Sequence, residues 1–270
     1  MSGGTSFYFS YGFNSLPKKV SFELVTKLGE SEMAVVDDMR RNGIEVKTFP
    51  SRNTVFFENK YGENQNDRTQ RVLAKADPFG VDEMQGLEAK VFHLGSLLND
   101  DFSPEVVKTL SAKGLISIDA QGYLREVVGH NVRAIDWKGK LGILANTDVI
   151  KVNEREMEVI TGFSDARTAA RQLADWGVKE VVVTLGSYGS VIYSDGQYYE
   201  IPAYPPREMV DATGCGDTYS AGYLWCRLQG AGFYEAGRFA AAMCTLKLEH
   251  SGPFDRTAEE VNHVVGNWRG

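Results

Sequence analysis

The chain has 270 residues, of which 43% are hydrophobic and 24% charged, and its net charge is −7. This length suits one large α/β domain or a domain with a small appendage, and the negative charge argues against nucleic acid as the main partner. No apolar run approaches the length of a membrane span, and three cysteines without metal-ligand or disulfide spacing (Cys215, Cys226 and Cys244) suggest a reducing, cytoplasmic location.

The first third of the chain combines a helical start with a series of short strands. Residues 5–16 are rich in aromatic side chains and favour a buried helix. Strand-like runs then follow at residues 44–49, 54–61 and 71–76. Because no helical pattern separates these runs, they predict an antiparallel sheet or flap over residues 44–76, set apart from the rest.

After residue 80, strand and helix patterns alternate. The predicted strands lie at residues 91–94, 115–119, 149–152 and 180–185, with helices at 104–113, 154–161 and 166–176 between them. This alternation predicts a parallel sheet with helices on both faces, followed by a hairpin around Asp195-Gly196. Residues 129–144 are expected to be irregular. Ligand sites in such sheets lie at the carboxyl ends of the strands, so the loops that follow these strands should meet.

The segment Asp211-Ala212-Thr213-Gly214-Cys215-Gly216-Asp217 leads into another helical pattern. Its glycines let the backbone turn tightly, and the N–H groups and dipole of the following helix favour an anion. A carboxylate does not suit a bound anion. Asp217 is therefore either a base that deprotonates a hydroxyl during phosphoryl transfer or a helix-start carboxylate. Cys215 is a small residue filling the loop, with a pKa lowered by the helix start.

Other polar groups follow the predicted strands. Asn153 and Glu156 are three residues apart and share a helix face, where they suit a phosphate with hydrated Mg²⁺ or, equally, a capping box. In Thr184-Leu185-Gly186-Ser187-Tyr188-Gly189, the glycines suit nucleotide phosphates or a plain turn. Asp119, Gln121 and Arg125 suit contacts to hydroxyl or phosphate groups, or a solvated loop.

In this order, these segments resemble the PfkB family of carbohydrate kinases. The segment 211–217 looks like that family's C-terminal signature, Asn153-x-x-Glu156 like its Mg²⁺/phosphate motif, and 184–189 like its nucleotide loop. The resemblance implies a ribokinase-like α/β fold: three layers, with a mostly parallel central sheet flanked by helices and a small antiparallel β lid. Residues 1–270 would form a single domain, with the lid at 44–76 and the fold's first strand missing before residue 1.

The resemblance also implies roles at matching positions. Asp217 would be the catalytic base, and the backbone N–H groups of Gly214, Cys215 and Gly216 would form the anion hole. The residues implied in binding ATP and Mg²⁺ are Asn153, Glu156, Thr184, Gly186, Gly189, Thr213 and Gly252, with Glu156 holding Mg²⁺ through water. The residues implied in binding the sugar are Gly3, Gly4, Asp119, Gln121, Arg125 and Asp217. Asp211 resembles a ligand of the monovalent cation, such as K⁺, that many members bind.

Two positions depart from the family's pattern. Cys215 stands where alanine is usual, and Tyr8 stands where many members have a sugar-binding asparagine. We expect an ATP- and Mg²⁺-dependent kinase of sugar metabolism that acts on a sugar or polyol, with a homodimer formed through the lid. The alternatives are a nucleoside kinase of the same family, a non-catalytic nucleotide- or sugar-binding homologue, and a nicotinamide-dependent oxidoreductase. The glycine pattern fits the last of these poorly, because Tyr219 replaces the third glycine of the dinucleotide fingerprint.

Overall fold

The computed structural model describes residues 2–61 and 68–268. Within these ranges the strands are β1 Leu24–Leu28, β2 Val46–Pro50, β3 Phe56–Tyr61, β4 Arg68–Ala74, β5 Val91–Gly95, β6 Leu115–Asp119, β7 Arg125–Val128, β8 Asn131–Ala134, β9 Val149–Asn153, β10 Glu180–Thr184, β11 Ser190–Ser194 and β12 Gln197–Ile201. The α-helices are α1 Thr5–Asn14, α2 Met33–Arg41, α3 Val81–Gln85, α4 Pro104–Ser111, α5 Lys140–Leu144, α6 Glu154–Thr161, α7 Ala166–Asp175, α8 Cys215–Leu228, α9 Phe233–Leu248 and α10 Ala258–Asn267. No helix in the described ranges combines the length and the apolar character that crossing a membrane requires.

The main sheet has the strand order β12-β11-β10-β9-β6-β5. Its four strands β5, β6, β9 and β10 run parallel, as the alternation of strand and helix patterns predicts. The last two strands form the predicted hairpin and extend the sheet in the antiparallel sense. Asp195 and Gly196 at its turn have φ of 52° and 76°, the left-handed conformation that a tight two-residue hairpin turn requires.

Helices cover both faces of the main sheet because its central strands are apolar on both sides. On β10, Val181 and Val183 pack into a core shared with α4, α6 and α7. Val182 points to the opposite face and packs into a second core with α8 and α9. This alternation produces the expected three layers, helix, sheet and helix, and it holds the carboxyl ends of the parallel strands at one edge.

The second sheet is antiparallel, with the order β3-β4-β8-β7. Its strands differ from those predicted for the flap at residues 44–76. Of residues 44–76, β3 and β4 belong to this sheet, whereas β2 pairs in parallel with β1. The helix α2 connects β1 to β2, and such a strand–helix–strand connection favours parallel pairing. The predicted polar turn at 62–67 lies outside the described residues.

The other half of this sheet comes from β7 and β8, so the prediction of an irregular segment at 129–144 is wrong in part. We call the four-stranded sheet formed by β3, β4, β8 and β7 the lid sheet. A backbone hydrogen bond joins its base to the main body, in which the Asn99 N–H donates to the carbonyl of Arg125 (3.1 Å). The lid sheet is therefore anchored beside the carboxyl end of β6.

The predicted N-terminal helix is confirmed as α1, which packs against α8. A Cβ on Gly12 would lie 3.3 Å from Cβ of Ala221, so the small residues allow a close approach of the two helices. On the other side of α1, Phe9 stacks on His93 of β5, with ring centroids 4.3 Å apart. These contacts bring the start of α1 to the carboxyl-end edge of the main sheet.

Candidate active site

The site lies where three strands end and one helix begins. Strand pairing sets Thr184 beside Asn153 and Asp119 beside Lys151, so polar residues predicted from separate segments share one edge of the sheet. The start of α8 faces the same edge. The structure therefore brings together residues from different loops that were predicted to be catalytic, to bind phosphate and to bind the sugar.

Helix α8 begins after Gly214, and this position requires glycine for two reasons. Its φ of 79° is left-handed, and a Cβ there would lie 2.3 Å from the ring of Tyr8. The Cys215 N–H donates to the carbonyl of Ala212 at 3.2 Å, which closes the turn before the helix. This bond occupies the Cys215 N–H, which was predicted to be one of the anion-hole donors. The other N–H groups of the first helical turn lack helical acceptors, so the helix start remains suited to an anion.

Asp217 lies in this first turn, and its carboxyl group accepts a hydrogen bond from the Thr5 side chain. Burial raises its pKa to about 7, and the neighbouring charge of Asp119 adds to this rise. Lys151 and Arg125 act in the opposite direction but do not cancel it. A carboxyl group with a pKa near neutrality is well matched to proton abstraction from a hydroxyl.

The start of α1 reaches Asp217 because glycines make room for it. Gly4 caps α1 with a φ of 88°, and Thr5 follows as the first helical residue. A Cβ on Gly95, at the end of β5, would lie only 2.3 Å from Cγ2 of Thr5. The pair Gly3-Gly4, predicted to bind the sugar, therefore lies next to the predicted base.

Lys151 is a central residue of the site that was not among the predicted site residues. It lies on β9, is 8% exposed, and its ammonium is 2.7 Å from Oδ2 of Asp119. A Cβ on Gly216 would lie 2.7 Å from the same nitrogen, which places the ammonium beside the start of α8. Burial alone would lower the pKa of Lys151, but Asp119 and Glu156 raise it, so the side chain is positively charged.

A signal for Lys151 was present in the sequence. It lies in Val149-Ile150-Lys151-Val152-Asn153, an apolar strand in the middle of the predicted sheet. A charge in such a strand must be paired, because an unpaired buried charge is too costly. The pairing of β6 with β9 shows that Asp119 is the partner.

Asp119 was predicted to contact a hydroxyl or phosphate directly, and its surroundings favour a different function. It is 3% exposed, and its carboxylate accepts from Lys151 and from the Gln121 N–H at 3.1 Å. Burial would raise its pKa, but Lys151 outweighs this effect and lowers it, so Asp119 is ionised. The carboxylate therefore fixes the position of the Lys151 ammonium. Gln121 and Arg125 are half-buried beside it, and Arg125 exerts its charge on both Glu156 and Asp217.

Asn153 and Glu156 form a capping box, which was one of the two structures predicted for this pair. Asn153 Oδ1 accepts from the Glu156 N–H at 2.9 Å, and Glu156 accepts from the Asn153 N–H (2.9 Å) and side-chain amide (2.8 Å). Burial raises the pKa of Glu156, whereas Lys151 lowers it. A single carboxylate with an amide partner fits Mg²⁺ that is held mainly by water and substrate phosphates. No cluster of three or more His, Cys, Asp or Glu suited to a metal occurs among residues 2–61 and 68–268.

The segment 184–189 forms a tight turn between β10 and β11. Thr184 Oγ1 donates to the carbonyl of Val152 at 3.3 Å, and Leu185 N–H donates to the carbonyl of Gly189 at 2.8 Å. Gly189 is required by packing, since a Cβ there would lie 2.0 Å from the carbonyl oxygen of Ile201. Gly186, with a φ of 55°, faces open space and leaves its backbone accessible to a ligand.

The prediction for Cys215 is wrong with respect to its acidity. Burial raises the pKa of its thiol to about 11, and the nearby carboxylates of Asp211 and Asp217 contribute to the rise. Lys247 lowers this pKa but does not offset burial. The thiol is therefore protonated and unreactive at neutral pH, and Cys215 serves as a small residue in a crowded turn, where its carbonyl accepts from Cys244 Sγ at 3.1 Å.

Asp211 and Thr213, predicted near a monovalent cation, lie just before the start of α8. The Thr213 N–H donates to Oδ1 of Asp211 at 2.9 Å. The ammonium of Lys247 lies 3.2 Å from the Asp211 carbonyl oxygen and 3.7 Å from its Oδ2. Gly252, predicted near the adenine, is close to this cluster, since its backbone hydrogen-bonds the Asp211 carboxylate. These residues thus surround a protein ammonium group.

Comparison with known proteins agrees with this architecture. The family model of the pfkB family carbohydrate kinases matches residues 63–259. The cytidine kinase of Thermococcus kodakarensis is 34% identical over 184 residues, which make up 67% of this chain and 58% of that protein. The chain thus spans less than two thirds of the length of that relative.

Two solved structures are similar over nearly the whole chain. Both are pyrophosphate-dependent kinases of the ribokinase family, each 28% identical, covering 97% of this chain and 92% of the other. The TM-score is 0.86 for a sulfate complex and 0.85 for a complex with a pyrophosphate analogue and myo-inositol. These similarities confirm the ribokinase-like α/β fold expected from the sequence. The match of the family model over residues 63–259, together with the fold, shows that this chain belongs to the pfkB family of carbohydrate kinases.

Proposed function

We propose that this chain is a kinase that uses ATP and Mg²⁺ to phosphorylate a hydroxyl group of a small sugar or polyol. The observation that carries this proposal is the position of Asp217. Its carboxyl group has a pKa of about 7 and lies in the first turn of α8, next to the Lys151 ammonium. A base and an anion-stabilising helix start at one place are what transfer of a phosphoryl group to a hydroxyl needs.

In the proposed reaction, Asp217 takes the proton of the acceptor hydroxyl as that oxygen forms a bond to the γ-phosphorus of ATP. The bond between this phosphorus and the β–γ bridging oxygen breaks, and ADP leaves with the electron pair. The N–H groups at the start of α8 and the Lys151 ammonium stabilise the negative charge on the transferred group. Glu156, held by the capping box, would bind Mg²⁺ through water, and Mg²⁺ when bound neutralises phosphate charge.

The site and similar proteins support the proposed class of acceptor. One relative is named a cytidine kinase, and one similar structure contains myo-inositol. The ribose of cytidine and myo-inositol both carry neighbouring hydroxyl groups, as sugars and polyols do. The nucleoside-kinase alternative therefore stays within the proposal, since a ribose hydroxyl would present the same proton to Asp217.

The phosphoryl donor is proposed to be ATP, although the similar solved kinases are named pyrophosphate-dependent. The turn at 186–189 favours a nucleotide, because Gly186 faces open space and Tyr188 is 83% exposed beside it. Such an open turn offers backbone and an aromatic ring to a ligand larger than pyrophosphate. A comparison of the two donors tests this point directly.

The experiment is a turnover assay with ATP and Mg²⁺ over a panel of sugars, polyols, inositols and nucleosides, with pyrophosphate as an alternative donor. ADP release that depends on one acceptor would support the kinase and identify its substrate class. Asp217→Asn should lower turnover by about a thousandfold while ATP affinity, measured by calorimetry, stays within a few fold. Asp136→Asn, which changes an exposed surface carboxylate, is the matched control and should leave turnover unchanged.

Two outcomes would contradict the proposal. ATP binding without turnover on any acceptor would favour the non-catalytic homologue. Equal turnover of Asp217→Asn and the unchanged protein would contradict the function assigned to this carboxyl group. Phosphate transfer from pyrophosphate but not from ATP would retain the kinase and replace the donor.

The proposal also includes a homodimer formed through the lid sheet and a cytoplasmic location. Phe56, Leu73 and Val128 on the lid sheet are large apolar residues with exposed fractions of 56%, 41% and 40%. Exposed apolar residues grouped on one sheet favour association with another protein surface. Sedimentation analysis of Phe56→Lys would show a shift to monomer if this surface joins two copies.

A further inference from the structure

Lys247 is a fully buried lysine near the end of α9, with an exposed fraction of 0%. Its ammonium donates to the carbonyl oxygens of Asp211 and His250, each at 3.2 Å. The Asp211 carboxylate lies 3.7 Å away. Burial of a charge is costly unless oxygen partners replace its water, and these three oxygens supply that replacement.

The Lys247 ammonium connects two loops through the carbonyl oxygens that it contacts. Asp211 belongs to the segment before α8, and His250 belongs to the segment after α9. The two segments also meet through the backbone, because the N–H groups of Val210 and Asp211 donate to the Leu248 carbonyl at 2.8 and 3.2 Å. The charge of Lys247 thus holds the loop that ends at Gly214, the residue immediately before helix α8.

The oxygens around this ammonium are of the kind that also binds a monovalent cation. Two backbone carbonyls and a carboxylate converge on a single positive charge, and Oδ1 of Asp211 is kept in place by the Thr213 N–H. A free K⁺ at Asp211, which the sequence suggests, does not fit here, because the ammonium already contacts these oxygens. An ammonium group and K⁺ carry the same charge, and oxygen atoms bind both, because they accept hydrogen bonds from ammonium and coordinate K⁺ directly.

We propose that Lys247 replaces a free monovalent cation with a tethered one and thereby positions the anion-binding start of α8. The proposal rests on the kinase function proposed above for its effect on turnover. It has two consequences. The unchanged protein needs neither K⁺ nor another monovalent metal ion, and removal of the ammonium creates a dependence on such an ion.

The test compares the unchanged protein with Lys247→Met in KCl, NH₄Cl and tetramethylammonium chloride at equal ionic strength. Methionine keeps the unbranched apolar stem and removes the charge. The matched control is Lys179→Met, which removes a lysine whose side chain is 72% exposed at the opposite end of the sheet. The large tetramethylammonium ion is not expected to enter the cluster of oxygens.

In the turnover assay, the unchanged protein and Lys179→Met should vary by less than about twofold among the three salts, whereas Lys247→Met should lose about tenfold or more in tetramethylammonium chloride. KCl or NH₄Cl should restore most of this loss in kcat with little effect on the KM for ATP. Activation of the unchanged protein by K⁺ would overturn the proposal. So would a loss in Lys247→Met that no ion restores, since that result indicates only lost packing.

A second measurement does not depend on kinase activity. The Tm of Lys247→Met should be higher in KCl or NH₄Cl than in tetramethylammonium chloride, whereas the Tm of the unchanged protein should be equal in all three. If no acceptor is turned over but this salt pattern appears, the kinase proposal fails and the tethered cation stands. If Lys247→Met does not fold, the unchanged protein still decides the matter, because any stabilisation or activation of it by K⁺ contradicts the proposal.

Discussion

Asp217 is the residue at which activity and stability should respond to pH in opposite directions. As the proposed base it acts only when ionised, and its pKa is about 7. The value of kcat/KM should therefore rise tenfold per pH unit below about pH 7 and level off above it. A pH profile measured with saturating Mg²⁺ checks this expectation. A flat profile between about pH 5 and 8 would contradict the assignment of Asp217 as base.

The stability prediction for Asp217 has the reverse sign. Its pKa rises from the ordinary value of 3.8 to about 7, so between these values the folded protein keeps a proton that the unfolded chain has lost. The stabilising contribution is therefore complete below pH 3.8 and is lost as the pH rises through about 7. Asp217→Asn should gain more Tm over the unchanged protein at about pH 8 than at about pH 5. An equal gain in Tm at both pH values would show that burial of Asp217 does not raise its pKa.

Lys151 leads to a third prediction, because it is the cation for several carboxylates. Lys151→Met leaves Asp119, which is 3% exposed, as an unpaired buried charge. The free energy of unfolding should fall by about 3 kcal/mol, as measured by denaturant titration. Asp119→Asn combined with Lys151→Met should recover part of this loss but not the turnover, because the ammonium beside Gly216 is still missing. Recovery of turnover together with stability would indicate that the ion pair is structural only.

Among the individual residues of the site, some positions could be predicted from the sequence, whereas the pKa values could not. The segment 211–217 could be recognised because its glycines, acids and helical continuation are neighbours in the chain. The positions of Asp119 at the end of a strand and of Asp217 at the start of a helix were likewise predictable. Their pKa values were not, because these depend on Lys151 and on burial between elements distant in sequence. The acidity of Cys215 was predicted wrongly for the same reason, since burial outweighs the helix start.

At the scale of a single element, helix α6 begins with a capping box that also supplies the carboxylate proposed for Mg²⁺. Glu156→Gln tests the two functions separately, because glutamine can serve in a capping box but does not carry the negative charge. The Tm should change little, since burial already raises the pKa of Glu156 and disfavours its charge. The Mg²⁺ concentration for half-maximal turnover should rise about tenfold or more, as a Mg²⁺ titration would show.

The chain offers a matched control for this substitution. Helix α10 begins with an equivalent capping box, in which Glu260 accepts from the Thr257 N–H at 2.8 Å. Glu260→Gln should leave the Mg²⁺ titration unchanged. If Glu156→Gln lowers Tm and turnover in parallel, with no change in the Mg²⁺ requirement, Glu156 is only a helix cap.

The elements of the main sheet were predictable and those of the lid sheet only partly so, for a physical reason. Strands such as β10 are buried on both faces, so their sequences are apolar runs with clear ends. Strands β7 and β8 are short and have no fully buried residue, and β8 pairs with β4, about sixty residues away in sequence. Neither hydrophobic periodicity nor a local turn signal reveals such a distant pairing.

At the scale of the whole molecule, the lid sheet and the main body meet at Arg125. This residue begins β7, and its carbonyl accepts from the Asn99 N–H at 3.1 Å, which anchors the lid sheet to the loop after β5. Its positive charge also lowers the pKa values of Glu156 and Asp217, so its side chain influences the site from the lid sheet. We expect the lid sheet to exclude water from the site, which would strengthen such charge interactions. Acceptor binding should therefore depend on Arg125.

The last prediction concerns this link between lid sheet and site. Arg125→Gln should raise the KM for the acceptor about tenfold while the affinity for ATP stays within a few fold, because the lost charge acts on Asp217, the proposed base for the acceptor hydroxyl. It should also raise the apparent pKa of the kcat/KM profile, since Arg125 favours the ionised form of Asp217. Arg133→Gln, which changes an exposed arginine on β8 of the same lid sheet, is the control and should alter neither quantity. If the two variants behave alike, the lid sheet acts on the acceptor through its surface charge in general rather than through Arg125 at its base.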